Sequence, residues 1–107
     1  MTILHLALSA DWDRARAAGE YRISTLGRTL EQEGFIHACA DHVQLAGVVR
    51  RYYRDVTEPL TLLTVDPEGL DVRLEVPPGA AEAFPHIYGP IPVSAVLSAT
   101  PFTLPPP

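Results

Sequence analysis

Gly34-Phe35-Ile36-His37 and, later in the chain, Phe84-Pro85-His86-Ile87-Tyr88-Gly89-Pro90 are the stretches on which the reading of this sequence turns. Each sets a histidine in a short apolar, strand-like run. The second run is held between prolines and a glycine, which forbid a helix there. Imidazoles so placed are either buried structural donors or members of one polar pocket. The remaining segments are the scaffold that brings the two runs together.

Toward the N-terminus, Ile3 to Leu8 is an apolar run broken only by His5, the pattern of a strand buried on both faces. In a pleat His5 shares its side with Ile3 and Ala7, opposite Leu4, Leu6 and Leu8. Ser9 is placed to cap a helix reaching Ala18, with Asp11 and Asp13 in its first turn and Trp12, Ala15 and Ala18 as its apolar stripe. Gly19 then supplies a stop. Glu20 to Glu33 has no clear period, and its hydroxyls, glycine and two arginines fit a solvated connector and a working loop equally.

Between the two histidine runs, Asp41 caps a second helix and Gln44 completes a capping-box-like pair. Leu45, Val48, Val49 and Tyr52 fall on one face of that helix, while Arg50, Arg51 and Arg54 crowd its C-terminal end, where cations suit the dipole. Such a charge run reads as a solvated face. Leu60 to Val65 is a buried strand ended by the turn Asp66-Pro67-Glu68-Gly69. Asp71 to Val76 alternates, with Val72, Leu74 and Val76 one way and Asp71, Arg73 and Glu75 the other. Pro77-Pro78-Gly79 breaks the strand, Ala80 to Phe84 is given one helical turn, and Ile87-Tyr88 is extended. Val96 to Phe102 is a last strand, and residues 104–107 form a proline tail expected to be disordered. Two main helices followed mostly by strands predict a small single α+β domain over residues 1–103.

The 107 residues suffice for one core and not for two. No apolar run approaches the roughly 18 residues of a membrane span, and the N-terminus lacks signal-peptide features, so a cytoplasmic address is expected. Cys39 is the only cysteine, which excludes an internal disulfide and a thiolate zinc site. The formal charge is −5 and all eight basic residues are arginine, so a broad basic face for nucleic acid is not expected. With no lysine there is no Schiff-base chemistry. An anionic ligand would be met by arginine, backbone amides or histidine.

Of the four histidines, His5, His37 and His86 belong to strands and His42 to a helix start; none has the spacing of a metal site, and no metal is expected. Burying three imidazoles in a small domain is costly unless they have partners or a purpose. Glu75 faces away from the apolar side of its strand with Arg73. It is either an exposed ion-pair residue or, given the rigid turns that follow, part of a preorganised cleft with His86 and Tyr88. Cys39 reads as a buried thiol rather than a nucleophile.

The blocks around His5, Trp12, Gly19-Glu20-Tyr21, Ser24-Thr25-Leu26-Gly27-Arg28-Thr29-Leu30, Gly34-Phe35-Ile36-His37, Asp66-Pro67 and Phe84-Pro85-His86-Ile87-Tyr88-Gly89-Pro90 resemble the DUF952 family of bacterial proteins along nearly the whole chain. One departure is Ala38-Cys39, where the family usually carries Cys-Ser. The resemblance implies an ADP-ribosyltransferase-like fold with a split or curved sheet that binds NAD in a central cleft. It implies that His5 contacts a ribose hydroxyl, that Glu75 holds the nicotinamide ribose, and that Tyr21 or Tyr88 stacks on the nicotinamide. Ser24, Thr25 and Arg28 would hold a pyrophosphate, and His37 or His86 would act as general base. The implied activity is cleavage of the nicotinamide–ribose bond with NAD as substrate; the alternative is a non-catalytic binder of a small molecule or nucleotide. His5, His37, Glu75 and His86 are expected in one cleft.

Overall fold

The computed structural model describes residues 1–106. Eight strands and three α-helices form an α+β domain in which the sheet is divided. Strands β1 (Ile3–Leu8), β4 (Leu60–Val65) and β8 (Val96–Phe102) make one antiparallel sheet with β4 in the middle. Strands β3 (Ile36–His37), β6 (Phe84–Ile87) and β5 (Val72–Glu75) make a second, with β6 in the middle. A two-stranded pair, β2 (Glu20–Tyr21) with β7 (Ile91–Pro92), was not expected from the sequence.

The two larger sheets are joined just after β3. The Leu4 amide donates to the Cys39 carbonyl at 2.8 Å and the Cys39 amide returns to Leu4 at 2.7 Å, while the Ala38 amide donates to Pro85. One segment thus belongs to both sheets. The core follows from this junction. Ile3 and Ala7 of β1 pack with Trp12, Tyr21, Ile36, Leu63 and Ile87. Leu4 and Leu6, from the opposite side of the pleat, pack with α3 (His42–Tyr52) through Leu45, Val48 and Val49. A strand buried on both faces needs an uninterrupted apolar run, which is what Ile3 to Leu8 supplies.

Helix α1 (Ser9–Ala18) lies where expected and ends at Gly19, whose φ of +92° closes the last turn onto Ala15. Two details differ. Ser9 does not cap it; its hydroxyl is spent on Thr61 at 2.7 Å. Ala18 is exposed, and the buried stripe is Asp11, Trp12 and Ala15. The stretch from Glu20 to Glu33 is more ordered than its composition suggested: β2, a short 3-10 turn at Thr25–Gly27 and α2 (Leu30–Glu33) all lie within it. Thr29 and Gln32 form a reciprocal capping box on α2.

On α3, Asp41 accepts from the Gln44 amide, but the Gln44 side chain reaches the amide of Ala40 rather than of Asp41. Tyr52 turns out to solvent at 54 % exposure, and Tyr53, one residue later, fills the core instead and donates to the Leu6 carbonyl. The helical turn expected at Ala80 to Phe84 is absent, because Phe84 opens β6. In β5 only Val72 packs on the core; Leu74 and Val76 are exposed, since that end of the edge strand runs past the second layer. Leu104 of the proline tail packs on the α3 cluster, and Pro107 lies outside the described residues. No helix among the described residues is long and apolar enough to cross a membrane.

Candidate functional site

The register of the second sheet aligns the chemistry. Ile36, Ile87 and Val72 stand side by side and face the first core cluster. Their neighbours His37, His86 and Arg73 are likewise in register and face the other way. With a period of two, Phe35, Phe84, Tyr88 and Glu75 join that face, where His86 and Phe84 are buried and Phe84 packs in the α3 cluster. Gly34 makes this possible: its φ of +91° ends α2 and turns the chain so that Phe35 enters beside β6.

At the centre of this face the His86 Nδ1 lies 2.8 Å from Glu75 Oε1, and the Tyr88 hydroxyl donates to the same carboxylate oxygen. A carboxylate only accepts, so Nδ1 carries the proton in this contact. The His86 Nε2 is buried and has no hydrogen-bond partner among the described residues. Phe35 stacks on the His86 ring at 3.9 Å with an 11° interplanar angle, and the His37 ring lies 5.5 Å away. The Tyr88 hydroxyl, and then His86, hold the Glu75 carboxyl below its ordinary pKa, so it is ionised at neutral pH. The same contact raises the Tyr88 phenol. The Arg73 guanidinium sits 4.2 Å from the centre of the Tyr88 ring and is tethered to Asp71.

His37 is neutral. Burial first, then the neighbouring His86 and His5, lower its pKa to about 4, and its ring makes no hydrogen bond among the described residues. Its backbone is held from both sides. The His37 amide donates to Ser24 Oγ at 3.1 Å, and the His37 carbonyl accepts from His5 Nδ1 at 2.7 Å. Both groups point away from β6, where a further strand would otherwise be needed to satisfy them. His5 Nε2 then accepts from the Tyr21 hydroxyl at 2.9 Å, and burial lowers the His5 pKa to about 4.

Four of the singled-out residues are therefore brought together: His37, Glu75, His86 and Tyr88. The others are placed elsewhere. His5, Tyr21 and Ser24 are buried, and both His5 nitrogens are engaged internally, so the three act as supports for His37. His5 does lie on the Ile3 and Ala7 side of its strand. Its contribution to a shared cleft with Glu75 is indirect, because the His37 backbone stands between. Thr25 lines, with His5, His37 and Tyr53, a cavity of only about 10 Å³, at the lower limit for one water. Arg28 is exposed, and its side chain is bound to Glu33 and to the Gln32 carbonyl. Cys39 is buried and its thiol is pushed up to about 12, so it is inert. Among the described residues no three His, Cys, Asp or Glu side chains are grouped as a metal site. Phe35 and Arg73 were not singled out from the sequence; their period-two relation to His37 and Glu75 was the available signal.

Comparison with known proteins bears on the whole domain. Residues 6–99 match the family described as "Protein of unknown function (DUF952)". Protein CC0527 from Caulobacter crescentus has a crystal structure similar to this chain, with 30% identity and a TM-score of 0.80, covering 96% of this chain and 87% of that one. Its solution NMR structure is similar at 31% identity and a TM-score of 0.74, covering 92% and 82%. No curated protein matches. The match over residues 6–99 includes the segments that carry Phe35 to His37 and Phe84 to Tyr88, and the chain belongs to the DUF952 family.

Proposed function

We propose that the protein is an NAD-utilising enzyme of ADP-ribosyltransferase-like fold that cleaves the nicotinamide–ribose bond, by ADP-ribosyl transfer or by hydrolysis. The observation that carries this reading is the Glu75 carboxylate, ionised and oriented by Tyr88 and His86 on an aromatic face, with a side chain 39% exposed. Departure of nicotinamide develops positive charge on the ribose, and a fixed anion beside a ribose hydroxyl stabilises it. Tyr88 and Phe35 offer ring faces for the nicotinamide. The neutral His37 has the lone pair an acceptor's proton requires, and His86 holds Glu75 in place. A second reading, a binder without turnover, is favoured by one observation: His5, Tyr21 and Ser24 are consumed inside the fold, which leaves a short list of ligand contacts.

Nicotinamide release from NAD by wild type and by Glu75→Gln separates the two. Glutamine keeps an acceptor for Tyr88 and His86 while removing the charge. The expected outcome is retained fold and NAD binding, with turnover lowered about a hundredfold or more. Saturable NAD binding with no nicotinamide released by wild type establishes the binder. Equal turnover in an active wild type and in Glu75→Gln removes Glu75 from the mechanism.

A further inference from the structure

Five of the eight arginines are tied to carboxylates: Arg14 to Asp11, Arg16 to Asp13, Arg22 to Glu20 and Glu31, Arg28 to Glu33, and Arg73 to Asp71. Arg50 and Arg51 in the last turn of α3, and Arg54 just past it, have no such partner among the described residues. A chain of net charge −5 thus collects its unpaired arginines in one place. The helix dipole accounts for cations at that end. It does not account for what stands beside Arg51.

Between α3 and the Pro77–Ala80 turn runs a groove of about 230 Å³, walled by Arg51, Tyr52, Pro77, Pro78 and Phe84. His37, the most enclosed of its polar residues, also lines it. Tyr52, expected in the core, instead presents its ring here at 54% exposure. Two consecutive prolines make the opposite wall stiff, so little chain entropy is lost when a ligand enters. Beyond His37 the polar face continues: the His86 ring is 5.5 Å from that of His37 and is bonded to Glu75.

We propose that this groove binds the phosphate or pyrophosphate of a phosphorylated small ligand, with Arg51 as the charge-assisted donor, Tyr52 as the aromatic wall, and His37 as the link to the Glu75–His86 pair. A guanidinium presents a planar fork that matches phosphate oxygens, and an anion is drawn to arginines free of carboxylate partners, although Asp55 and Glu58 line the neighbouring cleft. The site goes beyond the cleavage reading and stands without it, because nothing in it requires a bond to break.

The test is titration calorimetry with ADP, pyrophosphate and adenosine on wild type, Arg51→Ala and Arg54→Ala, each confirmed folded by circular dichroism. Arg54 belongs to the same cationic end but does not line the groove. ADP and pyrophosphate should bind wild type saturably, and Arg51→Ala should weaken both about tenfold or more while leaving adenosine unchanged. Arg54→Ala should cost no more than about threefold, as a screened charge at longer range. Amide resonances of Tyr52 and Gly79 should shift on adding ADP. Absence of ADP binding by folded wild type, equal losses for ADP and adenosine, or equal losses in the two variants would each overturn the proposal. Since no nicotinamide is measured, a failure here is separate from a failure of cleavage.

Discussion

His5 shows how one buried side chain sets a pH response. Its imidazole is enclosed between the His37 carbonyl and the Tyr21 hydroxyl, and its pKa falls from 6.5 to about 4. Protons therefore bind the unfolded chain first as the medium is acidified. The stability contributed is whole above about pH 6.5 and is lost as pH falls through 4, amounting to about 3 kcal/mol for one such group. His37 is shifted in the same direction and adds to the slope. The urea midpoint should fall clearly between pH 7 and pH 4.5, a window above the range in which Glu31, Asp71 and Glu75 titrate. His5→Gln should flatten that fall; an unchanged slope would mean that the imidazole is not kept neutral by its surroundings.

Among the elements, the connection from α2 into β3 carries the site. Gly34 sits at φ +91°, where a Cβ meets no neighbouring atom but strains its own backbone. Gly34→Ala should cost about 1–2 kcal/mol through that left-handed conformation, measurable as a lowered denaturant midpoint. It should also disturb the Phe35 stack on His86, visible as shifts in the His86 ring protons. A fully native midpoint would show that the turn can adopt another geometry. The strand pattern at Val72–Glu75 correctly separated Glu75 and Arg73 from Val72, because side-chain direction depends only on the pleat. It could not tell that Leu74 and Val76 stay in water, since coverage depends on what another layer reaches.

Over the whole molecule, Cys39 lies where the two larger sheets share backbone. Its thiol is 3% exposed, pushed up to about 12 by burial, and packed with Leu4, Leu45 and Phe84. A thiol reagent at pH 8 should therefore label it only as fast as the domain opens, with the rate rising with urea in step with global unfolding. Rapid labelling of the native protein would reveal that the junction opens locally while the sheets remain folded.

Periodicity and turn chemistry were enough to read β1, α1, α3, β4 and β8, because Ile3–Leu8, the α3 stripe and Gly19 express local backbone preference and one-sided burial. The same local logic put His37, Glu75, His86 and Tyr88 on short strands next to rigid turns. Register was beyond it. That His37 stands beside His86, and His86 beside Arg73, follows from pairing between segments far apart in the chain. The neighbours of His5, Ser24 and Tyr21 were equally out of reach: a buried histidine looks the same in sequence whether it meets a ligand or a carbonyl. Here, among the described residues, no strand pairs with His37 on the outer edge of β3, so its amide and carbonyl take the Ser24 hydroxyl and the His5 imidazole as partners. A buried backbone group must be satisfied by whatever the fold brings within about 3 Å, and only packing in three dimensions determines what that is.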